Sequence, residues 1–198
     1  MSKFIIATNN PKKLIELNRI LIPLGIEAVT AKDAGIDLGD VEETGTTFEE
    51  NAYIKAKSAF DKCDCNVIAD DSGLCIDALS GRPGVYSARY ANSSDDKVKI
   101  AKILDEMSAV EEKDRTAHFT CSICCILRNG RIIKCEDYCY GNILFEPVGT
   151  NGLGYDPIFA VEGKSFASMD GDEKDKISHR GKALRKLKEQ LSLFKEEF

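Results

Sequence analysis

"VIADDSGLCID", Val67 to Asp77, is the stretch from which the rest of the chain can be read. Mostly apolar residues run into two adjacent carboxylates, Asp70 and Asp71, and then into Ser-Gly before turning apolar again. A short apolar run bounded by Ser-Gly predicts a buried strand that ends in a turn. Successive side chains on a strand point to opposite faces. If helices cover both faces, at least one aspartate is buried, where a carboxylate needs a cation or hydrogen bonds to compensate it. The alternative is a turn carrying two solvated acids, since Asp-Ser-Gly is ordinary turn chemistry.

The flanking segments supply the helices. Upstream, Lys3 to Ala7 reads as a first strand, and Pro11 in "TNNPKK" suits the first position of a helix capped by Asn10. Leu14, Leu17, Leu21 and Leu24 recur at helical spacing up to Gly25. A second strand, about Glu27 to Ala31, leads into the acidic loop "DLGDVEETGT". The capping box "TFEE", Thr47 to Glu50, opens a helix whose apolar stripe is Phe48, Ala52, Ala56 and Ala59 with Phe60. Downstream, Ile100, Ile103, Leu104 and Met107 mark another helix. Thr116 to Leu127 alternates as a long strand, Asn129-Gly130 is a hairpin turn, and Arg131 to Tyr140 returns antiparallel. A short strand at Ile158 to Val161 and a last helix carrying Leu184, Leu187, Leu191 and Phe194 complete the pattern. Strands alternating with helices, then a hairpin, predict an α/β fold with a mixed sheet flanked by helices.

At 198 residues the chain suits one large domain or two tightly joined lobes. A formal net charge of −6 argues against a non-specific nucleic-acid or anionic-membrane binder, though a local basic pocket is compatible with it. No segment approaches the ~20 apolar residues of a membrane span. The apolar core of "MSKFIIATNN" is too short for a secretory signal, so a cytoplasmic location is expected. The eight cysteines include no paired CxxC units, and the chain has only two histidines. In "CSICC", alternation puts Cys121 and Cys125 on one strand face and Cys124 on the other, which fits free cysteines packed as small hydrophobes. Structural zinc and disulfides are not expected.

Chemistry-bearing residues concentrate in loops at element ends. Thr8 to Lys13 is a strand-loop-helix junction, whose free N–H groups and helix dipole suit a phosphate. Glu42 and Glu43 lie in the acidic loop, within reach of a cation held by Asp71. Carboxylates plus phosphate oxygens are the usual Mg²⁺ coordination. Asn51 and Lys55 share one helix face. The loop "GTNGLGYDP" lets backbone approach a ligand closely, and Tyr155 offers a ring to stack on a base. Lys174, His179 and Arg180 cluster near the start of the last helix, where basic groups oppose the dipole and favour a bound anion. Together these are the parts of a nucleoside triphosphate site, which needs positioning, charge neutralisation and an oriented water rather than a covalent nucleophile.

"ATNNPKK", "EETGTTFEENAYIKA", "IADDSGL", "GRPGVYSARYA", "GYDPIF" and "ISHRGKAL" occur in the order and spacing of the inosine/xanthosine triphosphate pyrophosphatases, the Ham1-like or RdgB-like house-cleaning enzymes. The chain resembles that family from Thr8 to Leu187. The resemblance implies a single domain over residues 1–198, with an elongated mixed sheet and two lobes about a central cleft. It implies a homodimeric, Mg²⁺-dependent enzyme that cleaves ITP, dITP and XTP to the monophosphate and pyrophosphate, with no nucleic-acid or membrane partner. By position, Thr8, Asn9, Asn10, Pro11, Lys12 and Lys13 resemble the phosphate loop. Glu42 resembles the first metal carboxylate, with Glu43 the open alternative. Asp71 would hold the metal and activate water, with Asp70 beside it as support or second ligand. Lys55, Ser72 and Arg89 match substrate-contacting positions. Leu153, Gly154, Tyr155, Asp156, Lys174, His179 and Arg180 would recognise the base and the phosphate tail. Asn9 and Leu153 depart from the family, which often has glycine and an aromatic residue there. The rival readings are a Maf-like pyrophosphatase of pyrimidine or modified nucleotides and a non-catalytic nucleotide sensor.

Overall fold

The computed structural model describes residues 2–8, 11–39, 41–194 and 196. Among these, seven strands form one mixed sheet in the order β2-β1-β3-β4-β5-β6-β7. The strands are β1 (Ser2–Ile6), β2 (Ile26–Thr30), β3 (Asn66–Ile76), β4 (Thr116–Ile126), β5 (Ile132–Ile143), β6 (Phe159–Val161) and β7 (Lys164–Ser165). The helices are α1 (Pro11–Leu21), α2 (Phe48–Phe60), α3 (Asp96–Glu106), α4 (Gly171–Ile177) and α5 (His179–Ser192). Strand β1 pairs parallel with β2 and with β3, whereas β6 pairs antiparallel with β5 and β7. The expected α/β class and mixed sheet are therefore present. Among the described residues, no helix is long and apolar enough to cross a membrane.

Two compact units divide the chain. One gathers Met1–Asp71, Cys121–Asp137 and Arg180–Phe198, the other Ser72–Thr120 and Tyr138–His179. In the first unit, the pleat sorts the core. Phe4, Ile6, Ile68, Cys121 and Cys125 pack with Leu17 and Leu21 of α1 and Leu184 and Leu187 of α5. Ile5, Val67, Ala69 and Cys124 pack with Ala52, Ala56 and Ala59 of α2. The cysteines of "CSICC" thus divide between the two faces as the alternation requires. Helix α1 ends where Pro23 enters a 3-10 turn closed by Gly25 at φ 78°, and the capping box at Thr47 and Glu50 forms as expected.

The second unit packs Leu74, Ile76, Ile100, Ile103 and Met107 against Phe119, Phe159 and Phe166. Phe159 meets Phe119 edge-on at 4.7 Å and Phe166 at 5.0 Å between ring centroids. Arg115, 2% exposed, is threaded into this unit. Its guanidinium donates to the carbonyls of Met107, Val110, Ile143 and Leu144. These backbone oxygens lie buried or nearly so, and a truncated side chain leaves them without that donor. Arg115→Ala is expected to cost about 3 kcal/mol, or about 6–12 °C of Tm for a chain of this size. Arg115→Lys should recover only part of that loss, because an ammonium lacks the planar fork. Thermal unfolding followed by circular dichroism measures both.

Two local expectations are corrected. The strand through Asp70 does not turn at Ser72-Gly73. It runs on to Ile76, its backbone occupied by Ser87 Oγ at Leu74 N (2.9 Å) and by the Arg82 carbonyl at Ile76 N (3.2 Å). These partners outweigh the local turn preference of Asp-Ser-Gly. Cys63 and Cys65 form a disulfide, since one intervening residue leaves their Cα atoms 5.5 Å apart, within bonding range. Strand β7 and helix α4 carry too few apolar repeats to show in the sequence.

Candidate active site

Alternation along β3 sets the chemistry of the first unit. Ile68 faces α1 and α5 while Val67 and Ala69 face α2, so Asp70 follows Ile68 and Asp71 follows Ala69. The two adjacent carboxylates therefore act on opposite sides of one strand.

On the α1/α5 side, Asp70 is 2% exposed and accepts from Lys13 Nζ at 2.9 Å, with Arg180 Nη2 at 3.5 Å. Lys13 comes from the first turns of α1 and Arg180 from the start of α5, so cations from both ends of the chain meet one carboxylate. Arg180 also pairs with Glu16 of α1. Burial by itself would raise the Asp70 carboxyl, but the charges of Lys13, Arg180 and Lys55 reverse that and hold it well below the usual carboxylate range. Asp70 is thus ionised and engaged with Lys13 and Arg180.

On the α2 side, Asp71 is 7% exposed. Its Oδ1 accepts from Lys55 Nζ at 2.7 Å and its Oδ2 from Asn51 Nδ2 at 3.4 Å. Lys55 also reaches Glu43 at 2.8 Å. The small residues Ala52, Ala56 and Ala59 bring α2 close to the sheet, and Asn51 and Lys55, one turn apart, then reach the same carboxylate. Asn51 further accepts from Gly45 N at 2.8 Å, while Glu50 accepts from Thr46 N at 2.7 Å. Those bonds draw the acidic loop onto α2 and deliver Glu43. A Cβ at Gly45 would lie 2.6 Å from Asn51 Oδ1, so the close approach needs glycine. Burial raises the Asp71 carboxyl above its ordinary value; Lys55 opposes the rise and Glu43 adds to it. For Lys55, burial would lower the ammonium, but Asp71 and Asp70 outweigh it and the net shift is upward. The proton therefore stays on Lys55.

Glu43, rather than Glu42, is the acid brought to Lys55 and Asp71, and Glu42 is exposed. Among the described residues, no group of three or more His, Cys, Asp or Glu side chains forms a metal cage. Thr8 lies just beyond β1, and Pro11 and Lys12 open α1. Asn9 and Asn10 lie outside the described residues.

The second unit holds the remaining expected residues. The Gly-rich loop is pinned by Asp156, whose Oδ2 accepts from Leu153 N at 2.8 Å and from Lys174 Nζ at 2.7 Å, a buried ion pair. Gly152, at φ 77°, packs so tightly on this carboxylate that a Cβ would lie 1.9 Å from Oδ2. Gly154 donates to Asp96 Oδ2 at 3.0 Å. Tyr155 corrects an expectation: its ring is 4% exposed and its hydroxyl donates to the Ser87 carbonyl at 2.8 Å, so it is a packing anchor with no open face for a base. His179 likewise stacks on Phe119, at 4.7 Å between centroids and 11° between planes. Arg89 is exposed, with its guanidinium 5.1 Å from the Tyr86 ring centroid. Ser72 follows Asp71 on β3 and is half-buried.

Glu16, Asp96 and Lys99 carry polar contacts that the expected site does not include, and Asn51, expected only to share a helix face with Lys55, meets Asp71. Asn51 leaves a signal, since it is a polar residue beside Ala52 on the core-facing stripe of α2. Glu16 leaves none, because its partner Arg180 lies at the far end of the sequence.

A family model described as the Ham1 family matches residues 4–190. The chain is 46% identical over 194 residues to the dITP/XTP pyrophosphatase of Bacillus subtilis (strain 168), covering 96% of this chain and 98% of that protein. It is 44% identical over 200 residues to the dITP/XTP pyrophosphatase of Clostridium perfringens (strain 13 / Type A), covering 96% and 98% respectively. A solved HAM1 protein from Coxiella burnetii superposes with a TM-score of 0.86 at 40% identity, covering 97% of this chain and 99% of that one. The Ham1 protein of Staphylococcus aureus gives 0.84 at 37% identity, covering 96% and 98%. With sequence and fold matched over almost their whole length, the chain belongs to the Ham1 family.

Proposed function

We propose that this chain hydrolyses deaminated purine nucleoside triphosphates (ITP, dITP and XTP) to the monophosphate and pyrophosphate, and so clears them from the nucleotide pool. The observation that carries this reading is the division of labour across β3. Asp71 sits with Asn51, Lys55 and Glu43, while Asp70 organises Lys13 and Arg180 on the other face. The activity named for the relatives from Bacillus subtilis and Clostridium perfringens supports it.

The reading includes Mg²⁺. Glu43 and Asp71 already converge on one positive charge, the Lys55 ammonium, at 2.8 and 2.7 Å. Their hard oxygen donors suit an ion that takes one or two carboxylates and completes its shell with phosphate oxygens and waters. Asp71 and Glu43, with Glu42 beside them in the loop, would hold it. Bound there, the ion would supply charge neutralisation for the triphosphate and acidify a water. The chain's own residues do the rest. Asp71, whose affinity for a proton is raised, takes the proton of the water that attacks the phosphorus next to the sugar. The bond from that phosphorus to the bridging oxygen breaks, and pyrophosphate leaves. Lys13 and Arg180, held in register by Asp70 and Glu16, counter the charge of the phosphate tail. The loop Leu153 to Asp156, stiffened by Lys174, reads the base. A donor opposite the 6-oxo group accepts hypoxanthine or xanthine and is left opposed by the amino group of adenine, a mismatch that a polar site rejects strongly. A homodimer in the cytoplasm belongs to the same reading.

A nucleotide panel with product identification tests it. With Mg²⁺, dITP and XTP are expected to give monophosphate and pyrophosphate, with kcat/KM at least about 100-fold above that for dATP, dUTP or dTTP. Preference for dUTP or dTTP would favour the Maf-like reading. Binding of ITP without pyrophosphate release would favour a sensor. Diphosphate plus phosphate as products would overturn the mechanism.

A further inference from the structure

Helix α3 holds the Gly-rich loop by a device that the proposed chemistry does not use. Asp96, in the first turn of α3, has one carboxylate oxygen on Gly154 N at 3.0 Å and the other on Lys99 Nζ at 2.8 Å. Lys99 is only 6% exposed. Its ammonium also donates to the Ala88 carbonyl at 3.4 Å and lies 5.9 Å from the Tyr155 ring centroid. A lysine is almost never buried this deeply unless something pairs with it. Here the partners are Asp96 and the segment that precedes α3, so the buried charge locks carboxylate, helix and loop into one arrangement.

The loop needs that lock. Gly152 and Gly154 both have positive φ, 77° and 62°, and among the described residues nothing lies within 4 Å of a Cβ built on Gly154. On that side the Gly154 peptide has no packed neighbour, and glycine leaves many backbone conformations open to it. Asp156 fixes the Leu153 amide, and Tyr155 is itself anchored by its hydroxyl on the Ser87 carbonyl. Asp96 completes the set at the peptide between them.

We infer that Asp96 and Lys99 are positioning residues that set base specificity: they fix the Leu153–Gly154 backbone in the orientation that reads the purine, without touching it. This rests on the loop being the base reader, as proposed above. On that reading the phosphate tail belongs to Lys13 and Arg180, and Asp96 and Lys99 act on the base end alone.

The test uses Asp96→Ala, Asp96→Asn and Lys99→Met in the full chain. Asp96→Ala is expected to raise KM for dITP about tenfold and to lower the dITP over dGTP preference about tenfold, with kcat within about twofold. Inhibition by inorganic tripolyphosphate, which has no base, should keep its Ki within about twofold of wild type. Asp96→Asn retains an oxygen for Gly154 N and should restore most of the KM; Lys99→Met should fall between the two. Amide exchange at Gly154 should be faster in Asp96→Ala, an effect that needs no turnover. Unchanged exchange and KM in Asp96→Ala would overturn the inference. So would a joint rise of KM and tripolyphosphate Ki, or Asp96→Asn no better than Asp96→Ala. Wild type that turns over no purine triphosphate would instead defeat the functional reading on which the inference rests.

Discussion

Asp71→Asn is expected to lower the release of pyrophosphate from dITP by about 10³-fold, the middle of the range for losing a positioned general base. The amide keeps the size of the side chain, and its oxygen can still accept from Lys55 while the long 3.4 Å bond from Asn51 is given up, so the fold should hold. Tm is expected to stay within about 4 °C of wild type, equivalent to about 1 kcal/mol for a chain of this length. Burial and the nearby Glu43 disfavour the charged form of Asp71, and removing that charge relieves some of the cost. Two measurements divide its roles. If Asp71 serves mainly as a metal ligand, raising Mg²⁺ well above the wild-type requirement restores much of the rate. If it serves as the base, saturating Mg²⁺ leaves the deficit and the variant loses the rising limb of the pH–rate profile. Wild-type rates in Asp71→Asn would remove Asp71 from the chemistry altogether.

The placement of Asp71 is partly legible in the sequence. A buried strand with adjacent carboxylates requires opposite faces, and the structure gives them: Asp70 toward α1 and α5, Asp71 toward α2. Periodicity locates α1, α2, α3, α5 and the β4–β5 hairpin, because each carries a long apolar repeat or a specific turn signal. The end of β3 is not legible, since Ser72-Gly73 has strong local turn chemistry and the Ser87 hydroxyl that keeps the strand extended lies well downstream. Tyr155 misleads for a related reason. In a Gly-rich loop an aromatic looks open to stacking, and only the distant Ser87 carbonyl shows that it is bound inward. Spacing does not tell Glu43 from Glu42; the choice depends on the way Asn51 and Glu50 fold the loop back onto α2. For the strand end and for Tyr155 the sequence hides a partner elsewhere in the chain; for Glu43 it hides how the loop folds back on the helix that follows it.

Asp70→Asn is expected to affect stability first, the reverse of its neighbour. Its carboxylate lies buried among Lys13 and Arg180, the second of which also meets Glu16. Breaking a buried ion pair by removing one partner costs about 3–5 kcal/mol, because the remaining charges lose their compensation without regaining water. At about 2–4 °C per kcal/mol for this chain length, Tm should fall by about 6–20 °C. The pH dependence has a definite sign. The Asp70 carboxyl is depressed in the folded protein, whereas in the unfolded chain it titrates near ~3.9. Its stabilisation is therefore complete above about pH 5 and declines as pH falls through and below the unfolded value. An asparagine at this position would carry no such proton. In EDTA, where no divalent ion contributes, the stability gap between wild type and Asp70→Asn should be widest near neutrality and should narrow between about pH 5 and pH 3. Urea unfolding at each pH measures that gap. A gap that is constant with pH, or a variant as stable as wild type at pH 7, would show that Lys13 and Arg180 do not depend on this carboxylate. They would then meet a phosphate without its help, and the placement of Asp70 opposite Asp71 would be a matter of packing alone.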